Sequence, residues 1–216
     1  MARAHQSLIW DRSRHVLRLR AALREFFPAA LQAFADLDAP DALELLGRAP
    51  DPGSAAALSQ AKIAAGLSRA NRRDATAKAR QIQAGLRAPQ LRQPPAVQGA
   101  YAAIVSSQVV LIKALSAQIE ELGEVVAAHF GHHPDAEIYA SQPGLGVILS
   151  ARVLAEFADD PHRFADARAR KNYAGTSPIT RACGTRRVAL ARYPRNRRLA
   201  GALPPSLKPP STTSDW

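Results

Sequence analysis

Eleven of the chain's 29 Lys and Arg residues lie between Arg163 and Arg198, where the only acid is Asp166; this segment carries +10 of a whole-chain charge of +11. The densest part reads Arg181-Ala182-Cys183-Gly184-Thr185-Arg186-Arg187, followed by Arg195-Asn196-Arg197-Arg198. Guanidinium groups bind phosphate or guanine through paired hydrogen bonds, so Arg181, Arg186, Arg187, Arg195, Arg197 and Arg198 are candidate nucleic-acid contacts. A solvated charged face is the ordinary fate of such a run, but that kind of face mixes signs, and no acid occurs from Ala167 to Ser214. Upstream, Pro143-Gly144-Leu145-Gly146 precedes the apolar run Val147, Ile148, Leu149. Gly144 and Gly146 let a backbone approach a phosphate with helix-start amides aimed at it; a plain turn before a buried helix is the other reading. Cys183 sits among arginines that favour a thiolate, or it is an inert small residue beside Gly184. His129, His132, His133 and His162 match no recognisable zinc spacing, so no metal site is assigned.

Composition narrows the classes. A pI near 10.8 favours a polyanionic partner, nucleic acid before an anionic membrane, because neutralising phosphates releases counterions. A single cysteine excludes an internal disulfide framework and fits a reducing cytoplasm. Neither a signal peptide nor a membrane span is expected, since polar and charged residues interrupt the apolar stretches before about 18 positions. Apolar content is 47%, largely Ala and Leu, with 6% aromatics. That favours a mainly α fold.

The elements that must position the arginines read in order along the chain. Residues 1–34 form an amphipathic helical block, interrupted at Pro28. Residues 35–94 form a helical linker block: a turn, short helix and turn through Gly53, then two short helices after a Ser54 cap, separated around Gly66 and Asn71. Residues 95–131 form a long coiled-coil-like helix. Its seam is Tyr101, Ile104, Gln108, Leu111, Leu115, Gln118, Leu122 and Val125, which packs on its own domain or joins a second copy as a dimerisation arm. Residues 132–203 form a compact helix-hairpin-helix-like module, and 204–216 a disordered Pro-rich tail.

Gln142 to Gly146, Arg163-Phe164, Tyr173-Ala174-Gly175-Thr176-Ser177-Pro178, Ala182 to Arg187 and Arg195 to Leu199 together resemble the C-terminal transposase domain of the insertion-sequence one-ten (one-sixteen, nine-oh-two) family. The resemblance covers residues 138–203, and more loosely Ala4 to Leu31 and Ala55 to Leu91. It implies a site-specific DNA transposase in which an N-terminal RuvC-like domain holds divalent metal on four acidic residues. The C-terminal domain then supplies a nucleophilic serine, and a structured guide RNA of the element selects the DNA.

Three departures qualify that implication. Residues 1–34 resemble only the final helical part of the RuvC-like domain, so its acidic strands would lie upstream; Asp11 and Glu25 are helix-face acids and are not assigned to metal. The family serine falls on Cys183, and a sulfur–phosphorus link is a poor stand-in for an oxygen ester. The Pro-rich tail stands where the family continues in helix.

The resulting expectation is a truncated DNA-binding transposase, with Cys183 in the catalytic position and no cofactor in this chain. Its expected partners are DNA, guide RNA and, through residues 97–130, a further copy of itself. The alternative is a non-enzymatic nucleic-acid-binding protein, or an inhibitory partner of intact transposase.

Overall fold

The computed structural model describes residues 1–90, 93–158, 160, 162–190, 192 and 194–203, without the side chain of Arg186. The tail expected over 204–216 lies outside the described residues. Two compact units divide the chain: Leu8–Ile119, and Met1–Ser7 together with the chain from Glu120 onward. Helices dominate both, as the Ala- and Leu-rich composition predicts.

The Leu8–Ile119 unit begins in α1 (Ala2–Phe26), whose Leu19, Leu23 and Phe26 recur at three- and four-residue steps and are buried. Pro28 ends α1 and starts α2 (Pro28–Ala33), since a ring without an N–H is tolerated only in a first turn. Pro40 and Pro52 likewise open α3 (Pro40–Arg48) and α4 (Pro52–Ala56).

The expected Ser54 cap is corrected by the structure. Asp51 caps α4, its carboxylate accepting from the Gly53 and Ser54 amides at 2.8 and 2.9 Å, while the Ser54 hydroxyl donates to the same carboxylate at 2.6 Å. A carboxylate three residues ahead of the serine outcompetes its hydroxyl for the free amides. The next helix, α5 (Gln60–Arg69), is capped by Ser59.

Two short helices do follow, α5 and α6 (Ala75–Leu86), and the break is at Asn71, which adopts φ 54°. Gly66 is no break. It is buried within α5, where an added Cβ would meet Leu45 of α3 at 2.9 Å, so it marks a close helix crossing.

The long periodic run is α7 (Pro95–Gly131). Up to Ile119 it gives Val105, Val109 and Ile112 to a core shared with Leu19, Leu23, Leu45, Ile63, Leu67 and Ile82. Tyr101 stacks on Phe26 at 5.2 Å, and Gln108 Oε1 lies 2.8 Å from His15 Nδ1. Those two seam positions thus find partners within their own unit.

The expectation that no apolar stretch approaches a membrane span needs amending. By length and composition α7 could cross one, with a mean hydropathy of 1.5 over 18 residues. Lys113 is its only charge before Glu120, its alanines are apolar and its serines lower the hydropathy little. Helices that supply a protein core meet the same criterion.

The other unit packs Ala2, Val126, Phe130, Ala151 and Leu154 together, and Leu145, Val153, Ala174, Leu199 and Ala202 beside them. Its elements are α8 (Ala136–Ala140), α9 (Val147–Phe157), α10 (Ala167–Ala174), β1 (Ile179–Cys183), β2 (Arg186–Leu190) and α11 (Arg197–Ala202). The strands form an antiparallel hairpin, an element the helical reading of this segment omits.

Candidate functional site

Every sequence-predicted site residue lies in this second unit. Between α8 and α9 the chain turns at Gln142–Gly146, closed by the Leu145 amide donating to the Gln142 carbonyl at 3.1 Å. Gly144 adopts φ 79°, a left-handed conformation that a side chain resists. Gly146 is the extended residue before α9, and no atom lies within 4 Å of where its Cβ would be. Leu145 is buried and anchors the turn, whereas Pro143, Gly144, Gly146 and Val147 are exposed. The start of α9 is therefore presented outward behind two glycines.

The hairpin carries the next group. Gly184 and Thr185 form a two-residue loop, Gly184 with φ 56°, and the register runs Cys183↔Arg186, Ala182↔Arg187, Arg181↔Val188, Thr180↔Ala189 and Ile179↔Leu190. Side chains alternate across a strand, so Arg181 and Cys183 share one face while Arg187 lies with Ala182 on the other. Positions 180–185 and 187–189 are all exposed. Arg186 sits at the head of β2, and its side chain lies outside the described part of the structure. Cys183 is exposed at the ribbon tip. Among the described residues, no carboxylate lies within ion-pair distance of Arg181, Arg187 or Arg197.

Arg195 and Arg198 are engaged within the protein. An added Cβ on Gly175, which has φ 77°, would fall 2.5–2.6 Å from the Arg195 stem, so that stem lies across the glycine while the residue stays exposed. Arg198 donates from Nη1 to the Arg3 carbonyl at 3.1 Å and to the Ser7 hydroxyl at 3.4 Å.

Beneath them is a polar lattice that the sequence reading does not contain. Glu156, only 3% exposed, accepts from Arg3 Nε at 2.9 Å and from Asn196 Nδ2 at 2.7 Å. Asn196 Nδ2 also donates to the Tyr173 hydroxyl at 2.6 Å, and its Oδ1 caps α11 through the Arg198 and Leu199 amides at 2.9 and 3.0 Å. Arg163 reaches the Tyr173 hydroxyl at 3.2 Å and lies over the Phe164 and Tyr173 rings. The one local signal was an Asn directly before a helical pattern, a capping position. The ribbon had a clearer one: a two-residue Gly-Thr loop between β-compatible runs.

Among the described residues, no group of three or more His, Cys, Asp or Glu is placed to hold a metal ion. The nearby basic Arg152 is held below the ordinary arginine range by burial, and its Nε has no hydrogen-bond partner.

The exposed glycine turn, the ribbon and the capped α11 all lie in the segment that matches a known family. Residues 136–203 match the family described as Transposase IS116/IS110/IS902. Over 207 residues, 94% of the chain, it is 41% identical to the mini-circle putative transposase for IS117 of Streptomyces coelicolor, and it covers 50% of that protein. Residues 136–203 thus carry the domain of this transposase family. A shorter stretch, 73 residues and 34% of the chain, is 37% identical to an uncharacterized 42 kDa protein of insertion element IS900 of Mycobacterium paratuberculosis, covering 18% of it. The chain thus spans about half the length of its IS117 relative and less of the IS900 one. No solved structure matches it.

Proposed function

We propose that this insertion-sequence transposase chain binds DNA in the cytoplasm through the ribbon Ile179–Leu190, assisted by the glycine turn before α9. One observation carries the reading: arginines stand exposed on both faces of a two-stranded ribbon in a segment without acids from Ala167 to Ser214. A DNA major groove admits a ribbon of this kind, and arginine is its commonest specific reader. The narrow, deep major groove of an RNA helix does not. The structured guide RNA that the family resemblance implies is accordingly assigned to other basic surfaces of the chain. Cys183, at the tip, occupies the family's nucleophile position; binding, and not strand transfer, is the activity proposed for this chain alone.

The test is fluorescence anisotropy on duplex DNA with Arg181→Glu and Arg187→Glu, separately and together. Each single reversal is expected to weaken binding at least tenfold at constant salt, and the pair to abolish it. Unchanged affinity with an unchanged thermal unfolding midpoint overturns the reading.

A second reading, association with another transposase subunit through residues 97–130, has its own support. Val97, Ile104 and Leu111 recur every seven residues on α7 and are 37, 45 and 40% exposed, an apolar stripe at coiled-coil spacing. Changing all three to serine leaves the folded unit intact and is expected to convert a dimer into a monomer in light scattering. A native chain that is monomeric at every concentration rejects it.

A further inference from the structure

A cleft of 810 Å³ opens at the foot of the ribbon, lined by Phe157 at the end of α9, Phe164, the first turns of α10 and the Thr176-Ser177-Pro178 segment that leads into β1. Its volume lies within the about 300–1,000 Å³ typical of sites for one small ligand. The walls are aromatic and aliphatic. Phe157 and Phe164 meet edge to face at 5.9 Å, and Ala167, Ala174, Pro178 and Leu203 complete the apolar surface.

The rim is cationic. The Arg170 guanidinium lies 5.5 and 5.7 Å from the Phe157 and Phe164 ring centroids, and Lys171 stands beside it in the lining. Neither has a carboxylate partner among the described residues. Asp166 is the one acid in the lining, and it is committed to the start of α10, accepting from the Ala169 amide at 2.6 Å. One unpaired cation over aromatic rings, with a second in the same lining, favours a ligand that is both anionic and planar. An apolar peptide side chain would leave both cations without a counter-charge.

We propose that this cleft receives one unpaired nucleotide of the bound DNA, its base against Phe157 and Phe164 and its phosphate against Arg170 and Lys171. Thr176, whose hydroxyl donates to the Lys171 carbonyl at 3.4 Å, and Ser177 are in the same lining, and both are of a type that reads base edges. Base–aromatic stacking tolerates any base, so the cleft selects an extruded nucleotide and not a particular sequence. Position supports this occupant: a five-residue strand spans about 17 Å, so a duplex held on the ribbon lies within reach of the cleft at its foot. The inference rests on the DNA-binding reading above and adds a site separate from the ribbon.

The test compares three duplexes bound to the full chain by anisotropy: fully paired, carrying one unpaired adenosine, and carrying one unpaired abasic residue. The adenosine bulge is expected to bind at least tenfold tighter than the other two. Phe164→Leu removes that preference while leaving the paired duplex bound as before. Arg170→Gln, at an exposed side chain, weakens the bulged duplex at least threefold more than the paired one and keeps the test decisive should the phenylalanine variant unfold.

Equal binding of adenosine and abasic bulges, with the paired duplex still bound, overturns the cleft assignment and leaves the ribbon reading standing. Binding of none of them overturns both. An RNA hairpin with the same bulge that binds in preference to the DNA overturns the choice of DNA.

Discussion

Asn196 connects the proposed DNA-binding surface to the interior of its unit. Its oxygen caps α11 and its amide nitrogen satisfies buried Glu156 and the Tyr173 hydroxyl, so one small side chain sets where α9, α10 and α11 meet. Asn196→Ala loses the cap and leaves Glu156 short of a donor, a combined cost of about 2–4 kcal/mol. Asn196→Asp keeps the cap but places a second carboxylate at the 2.7 Å contact with Glu156. Like charges so close repel. Urea unfolding of the aspartate variant is therefore expected to show lower stability than the native chain at neutral pH. Equal stability of the two would show that Asn196 and Glu156 do not touch. Gly175 belongs with this residue: its positive φ and the Arg195 stem across it leave no room for a Cβ, which explains a glycine at that position of the motif.

Among the elements, the proline-started helices of the Leu8–Ile119 unit are held by charges with a definite pH signature. For Asp51, burial is the largest influence and pushes its carboxyl up, but the Ser54 hydroxyl and the Ser54 and Gly53 amides outweigh it and hold the group below the ordinary range. Glu44 behaves alike: burial pushes up, and hydrogen bonds and charge from Lys113 and Arg48 pull it lower. A depressed carboxyl stabilises fully above its unfolded value, about 3.9–4.3, and that contribution is lost as pH falls through the lower folded value. Thermal unfolding should therefore show an acid limb below about pH 4, flattened in an Asp51→Ala, Glu44→Gln double variant. Asp51→Ala alone costs about 1 kcal/mol at neutral pH through the lost cap. The acid limb surviving unchanged in the double variant would assign it to other carboxylates. The ribbon is the contrasting element, since its exposed positions contribute little packing and its form follows from a glycine at φ 56° in a two-residue loop.

For the whole molecule the governing quantity is charge. Neutralising each phosphate contributes about 0.9 to the slope of log affinity against log salt, so Arg181→Ala with Arg187→Ala should lower that slope by about 2 if both touch phosphate. An unchanged slope would place those arginines off the backbone. The focusing of basic charge between Arg163 and Arg198, the helical content, the length of α7 and the family motif were all legible from the chain alone, because they are properties of neighbouring residues. Proline punctuation located the breaks at Pro28 and Pro95 for the same reason, while of the pair Gly66 and Asn71 only Asn71 is a break. The roles of individual arginines were not legible. Arg181 and Arg187 stand exposed and Arg198 is engaged with Arg3, although all three belong to one basic run; the last contact joins residues 195 positions apart. The Glu156 lattice depends on Arg3, 153 positions away, and the cleft on residues drawn from a helix end, a second helix and the strand approach. Composition and spacing determined where this protein concentrates its positive charge. Only the tertiary structure decided which of those charges remain exposed, because an arginine's role is set by whether the fold brings a hydrogen-bond acceptor to it.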